Sequence, residues 1–141
     1  MSQMLCITGT RTGLGRALSL HYLKAGQTVF GCSRGPSTIT HRRYTHTRLD
    51  VSDEASVIRW VATARQRFGR IDALLNNAGI ASMNHLLTTP ASTVMRLLST
   101  NVLGAFVCLR EVAKVMLSAK CGRIVNLTSI AAPLHLEGEA I

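Results

Sequence analysis

Apolar and polar positions along this chain change rhythm repeatedly, and each change marks an element. A short apolar run, Met4-Leu5-Cys6-Ile7, gives way to the glycine-rich Thr8-Gly9-Thr10-Arg11-Thr12-Gly13-Leu14-Gly15 and then to a helical pattern through Ala17, Leu18, Leu20 and Leu23. This predicts a strand over residues 3–7 and a helix over 13–25, with Gly26 as its stop. Residues 28–32, Thr-Val-Phe-Gly-Cys, read as a second strand; Gly35-Pro36-Ser37-Thr38 is loop chemistry, and a short third strand is expected over 45–49. Ser52 stands where an N-cap would, with Asp53 and Glu54 in the first turn; Val57, Val61, Ala64 and Phe68 recur at helical spacing, and Gly69 closes that helix.

A fourth strand is predicted over 71–75, followed by Asn76-Asn77-Ala78-Gly79 and a polar stretch to about residue 90. Helical sequence resumes at Ser92, where Val102, Ala105, Phe106, Leu109, Val112, Ala113 and Met116 form a broad apolar stripe. Residues 123–127, Arg-Ile-Val-Asn-Leu, give a fifth strand. Strands that are apolar on both faces and alternate with helices imply a parallel sheet covered on both sides, an α/β fold of the doubly wound, Rossmann type. Ligands of such sheets bind at the carboxyl ends of the strands. There the chain places the glycine-rich turn, Cys32-Ser33-Arg34, Asp50-Val51, Asn76 to Gly79, and Thr128-Ser129.

The glycine-rich turn carries a specific chemistry. A strand that turns through glycines into a helix N-terminus aims unpaired N–H groups and the positive helix end at a bound anion. The glycine order differs from G-x-G-x-x-G, and no Gly-Lys-Ser/Thr follows, so a nucleoside-triphosphate loop is excluded. An ordinary strand–helix turn remains the alternative at this point.

Composition narrows the class. The chain has 141 residues, 47% of them apolar and 4% aromatic, which suits one domain with a Val/Ile/Leu core. No apolar run approaches the roughly 18 residues that span a bilayer, and no signal peptide is visible, so the expectation is a soluble, cytoplasmic protein without a membrane partner. Cys6, Cys32, Cys108 and Cys121 lack C-x-x-C spacing and the histidines are scattered, which predicts reduced thiols and no metal site. The net charge of +9 raises nucleic acid as a partner, but the basic residues are dispersed and aromatics are few, so a solvated basic surface is the better account.

With these motifs in order, the chain resembles the short-chain dehydrogenase/reductase family. Thr8-Gly9-x-x-x-Gly13-x-Gly15 matches that family's cofactor turn; Asp50-Val51, Asn76-Asn77-Ala78-Gly79, Asn101 and residues 122–129 match its later motifs. The resemblance covers essentially the whole chain and implies NAD or NADP binding with carbonyl/alcohol interconversion on a small-molecule substrate. It assigns the pyrophosphate and adenosine end to Gly9, Thr10, Arg11, Thr12, Gly13, Leu14 and Gly15. Asp50 and Val51 would lie against the adenine, and Asn77, Ala78 and Gly79 beside the adenosine ribose. For Asp50 a helix-capping carboxylate near Ser52 remains open, and for Asn76 and Asn77 an Asx turn. Cofactor choice rests on Ser33-Arg34, where no carboxylate stands to take a ribose 2′-hydroxyl; Arg34, aided by Arg11, suits a 2′-phosphate, so NADP(H) is expected over NAD(H).

For chemistry, the resemblance makes Ser129 the group that polarises the carbonyl and Asn101 the anchor of a water relay. The family's tyrosine and the lysine four residues after it would begin at position 142, introduced by Leu136-Glu137-Gly138-Glu139-Ala140-Ile141. The expectation is therefore an incomplete Rossmann domain over 1–141, ending after its fifth strand, with negligible turnover by itself. Self-association is expected through the helix of Asn101–Met116, which in the family commonly packs on another subunit. The competing reading is a non-enzymatic dinucleotide-binding or interaction module ending naturally at Ile141; a basic module binding nucleic acid is a weaker third.

Overall fold

The computed structural model describes residues 2–129. Met4–Thr8 forms β1, Gly13–Lys24 α1, Thr28–Ser33 β2, Tyr44–Arg48 β3, Glu54–Phe68 α2 and Ala73–Asn76 β4. After a 3₁₀ turn at Leu86–Thr88, α3 spans Ala91–Leu98, a π-helical turn spans Ser99–Gly104, α4 spans Ala105–Ala119 and β5 spans Arg123–Asn126. The five strands lie parallel in the order β3-β2-β1-β4-β5. Successive strands are thus added first to one side of β1 and then to the other, which makes β1 the edge of the switch point at which ligands settle in such sheets.

Strand alternation assigns the two faces. Met4 and Cys6 of β1, Phe30 and Cys32 of β2 and Leu74 of β4 join one core with Val57, Trp60, Val61 and Ala64 of α2 and Val107, Cys108 and Val112 of α4. Leu5, Ile7, Val29 and Leu75 point the other way, into a smaller core with Leu23 of α1 and Ile39. The sheet is thus doubly wound, as the patterning predicts. Three of the four cysteines are buried; burial pushes the thiols of Cys6 and Cys32 well up and that of Cys108 to about 12, which leaves them unreactive packing groups. Among the described residues no helix is long and apolar enough to cross a membrane.

Three local expectations need correction. Ser52 is not the N-cap of α2: Asp53 is, its carboxylate accepting from the Ser56 N–H at 3.4 Å, while the Ser52 hydroxyl donates to Asp50. The strand before the Asn-Asn pair is Ala73–Asn76: Asp72 bonds Met4 and Arg123 at its entrance, but the paired register begins at Ala73 and runs on through Asn76. The predicted apolar stripe splits: Val112 and Met116 are buried beside Val107, Cys108 and Val115, whereas Val102 and Phe106 are 60% and 54% exposed. The π turn rotates the helix register between Asn101 and α4, so one continuous stripe cannot face the sheet throughout. The segment 136–141 lies outside the described residues.

Candidate functional site

At the carboxyl ends of β1, β2 and β4 the chain encloses a cleft of about 370 Å³. Its floor is the turn after β1, where Gly9 and Gly13 have φ of +73° and +56°. At Gly9 a side chain is also sterically barred: a Cβ would stand 2.7 Å from Asn77 Nδ2 and 3.0 Å from Ala78 Cα. Thr12 occupies the N-cap of α1 without a side-chain hydrogen bond, and the first turn carries no acidic residue. The first N–H groups of α1 and its positive end are therefore left for an anion.

The wall on the β2 side holds Ser33, Arg34 and Gly35, with Arg11 reaching over from the glycine turn. Neither guanidinium, of Arg11 or of Arg34, has a hydrogen-bond or ion-pair partner among the described residues. The far wall holds Leu49, Asp50 and Val51, then Asn77, Ala78, Gly79 and Ile80. Asp50 Oδ1 accepts from the Ser52 N–H at 3.0 Å and from its hydroxyl at 2.7 Å. That is an Asx turn rather than a helix cap, and it leaves the Asp50 Oδ2 lone pairs available.

Most residues expected at the site do line this cleft: Gly9, Arg11, Thr12, Leu14, Arg34, Asp50, Val51, Asn77, Ala78 and Gly79. Gly13 and Gly15 shape the turn beneath it. Thr10 does not line it; it is fully buried, its hydroxyl 2.7 Å from Tyr44 Oη and 3.4 Å from the Cys32 carbonyl. Burial raises the Tyr44 pKa, so the phenol stays protonated in that contact.

The asparagine side chains brace the backbone around the cleft. Asn77 Nδ2 donates to the carbonyls of Thr8 at 2.9 Å and Gly9 at 3.3 Å, stapling the end of β4 to the glycine turn instead of closing a local Asx turn. Asn76 Nδ2 donates to the Ala105 carbonyl at 3.1 Å and Asn126 Oδ1 at 2.9 Å, while Asn76 Oδ1 is buried without a partner among the described residues. Asn101 lies in the π turn, its Oδ1 3.5 Å from where a Gly79 Cβ would be. Its amide pairs with both backbone groups of Ile80, at 2.8 and 2.9 Å. Ser129 is exposed, three residues beyond the last residue of β5 and outside the cleft lining.

Two supports escaped the sequence reading. Thr8 is buried, and its hydroxyl accepts from the N–H groups of Asn77 at 3.0 Å and Ala78 at 2.9 Å. Edge strand β3 sends Tyr44, His46 and Arg48 to the cleft's turns. Their period-two spacing was a visible signal of a shared face. Partial burial lowers the His46 pKa, favouring a neutral ring.

Residues 3–140 match the short chain dehydrogenase family. The chain is 32% identical to the 2-(R)-hydroxypropyl-CoM dehydrogenase of Xanthobacter autotrophicus, over 99% of its own length and 61% of that enzyme's. It is 34% identical to an NADPH-dependent pterin aldehyde reductase of Arabidopsis thaliana, over 91% and 57%. The solved structure of ElxO with NADP bound superposes with a TM-score of 0.91 at 30% identity, covering 99% of this chain and 60% of that one. The chain thus spans roughly three-fifths of the length of each.

Proposed function

The chain belongs to the short chain dehydrogenase family of oxidoreductases, and from that premise we propose that it holds NADP(H) in the cleft at β1 and serves carbonyl/alcohol interconversion. One observation carries the cofactor choice: Arg11 and Arg34 flank Gly35 at the end of β2, both without a carboxylate partner among the described residues. A 2′-phosphate there would take charge-assisted, two-pronged contacts, whereas a bare 2′-hydroxyl would find no carboxylate in Ser33-Arg34-Gly35 to accept from it. The NADP-bound ElxO structure and the NADPH-dependent plant reductase support the same choice by similarity.

The residues present fit the group. The uncapped first turn of α1 and Gly9 would receive the pyrophosphate, and Asp50 Oδ2 the adenine amine. When bound, the nicotinamide supplies or accepts the hydride. Ser129 would donate its hydroxyl to the substrate oxygen. Asn101 spends its side-chain amide on Ile80, so a water at this position would be held by a backbone carbonyl of the π turn. The exposed Met95, Leu98, Val102, Leu103 and Phe106 support self-association through α3 and α4.

The test is cofactor selectivity in Arg34→Asp. Binding titrations should give a ratio of NADPH to NADH affinity reversed toward NADH. An unchanged ratio would refute the assignment.

A further inference from the structure

Three side chains at alternate positions of β3 each reach a turn of the cleft. Tyr44 Oη meets Thr10 Oγ1 at 2.7 Å, His46 Nε2 meets Ser33 Oγ at 2.8 Å, and Arg48 Nε donates to the Arg34 carbonyl at 2.7 Å. The middle contact has a direction. Ser33 has one hydroxyl proton, and the Gly35 carbonyl, 3.1 Å from Ser33 Oγ, can only accept. Both contacts are made at once in the tautomer that carries its proton on His46 Nε2 and donates it to Ser33. The result is a directed chain from the His46 Nε2–H through the Ser33 hydroxyl to the Gly35 carbonyl. The Leu49 N–H closes the same turn from the outside, on the Ser33 carbonyl at 3.0 Å.

This turn presents both cations. Arg34 is its middle residue, and Gly35 is the surface on which Arg11 lies: a Cβ at Gly35 would come 2.8 Å from Arg11 Nη1. Letting the turn relax would move Arg34 and remove the seat of Arg11 together. We propose that His46 is a positioning residue for cofactor selectivity: by donating to Ser33 it fixes the turn Ser33-Arg34-Gly35, and so aims Arg34 and Arg11 at the 2′-phosphate of NADP(H). The role rests on the reading of those two arginines as phosphate ligands. His46 itself touches neither cofactor nor substrate in this role. Its removal therefore acts on the end of the cofactor that distinguishes NADP(H) from NAD(H).

The experiment measures dissociation constants for NADPH and NADH in the full chain and in His46→Ala, His46→Gln, Ser33→Ala and Arg34→Ala. His46→Ala should weaken NADPH about tenfold, the worth of one directed hydrogen bond, and NADH less than about twofold. His46→Gln, whose amide nitrogen can stand near Nε2 and donate, should recover to within about twofold of wild type. Ser33→Ala should match His46→Ala, and the double variant should lose no more than either. Equal weakening of both cofactors, or no recovery with glutamine, overturns the proposal; Ser33→Ala decides it if His46→Ala does not fold. An Arg34→Ala variant with unchanged selectivity removes the NADP(H) reading and this role together. A selectivity that collapses in Arg34→Ala but survives in His46→Ala removes the His46 role alone.

Discussion

On one side of β1, toward β2 and β3, the cleft ends in the guanidiniums of Arg11 and Arg34, which have no partner among the described residues. On the other side, toward β4 and the π turn, the amide nitrogens of Asn76, Asn77 and Asn101 all donate to groups of the protein itself. Unspent charge marks the side prepared for a charged ligand. Spent amides mark scaffolding, where contact with a ligand falls to backbone groups and to Gly79. Side chains on the first side are thus expected to govern which cofactor binds, and those on the second whether the cleft exists at all.

Substitutions can separate the two behaviours. The largest effect is expected at the boundary, in Gly9→Val, where a side chain meets Asn77 and Ala78 at a φ of +73°. Dinucleotide affinity should fall more than about a hundredfold, the equivalent of about 3 kcal/mol, measured by fluorescence titration with circular dichroism to follow the fold. Thr8→Val keeps the shape of a buried side chain but orphans the N–H groups of Asn77 and Ala78. Urea unfolding should show a loss of about 2–4 kcal/mol with little change in the ratio of the two cofactors. Arg34→Asp should do the reverse, shifting that ratio about 10- to 100-fold toward NADH while leaving the unfolding midpoint nearly unchanged.

Asn101→Ala comes next. Losing the paired contact with Ile80 should cost about 1–2 kcal/mol in the same unfolding experiment, and hydrogen exchange should quicken in the π turn. The smallest effect lies away from both sides, in Glu111→Gln. Lys114, and after it Arg110, hold the Glu111 carboxyl below its ordinary range. A depressed carboxyl stabilises the fold above its unfolded pKa, and that contribution disappears as pH falls through the folded value. The variant should show a flatter acid limb in a plot of stability against pH, with no change in cofactor selectivity.

Much of the architecture was legible because it is local. Runs such as Met4 to Ile7 and Thr28 to Cys32 reveal strands by apolar continuity, and the fold class follows from their alternation with helices. The place of Arg34 on the cleft wall was legible too, since it follows from one residue at a strand end. The roles of the asparagines were not, because their partners are distant backbone atoms: Asn77 reaches a carbonyl 69 positions back in the chain. The π turn was hidden because Ser99–Gly104 has the composition of an ordinary helix, and its extra residue appears only in the hydrogen-bond spacing. Ser52 and Asp53 are both good caps; only the contact between Ser52 and Asp50 decides between them.

The central claim is that the unpartnered arginines make this cleft a site for NADP(H). It is tested most directly by titrating the unmodified chain with NADPH and with NADH under identical salt and pH. The account predicts that NADPH binds at least about tenfold tighter, with a preference that weakens as salt screens the 2′-phosphate. Equal affinity for the two, or tighter binding of NADH, would contradict it.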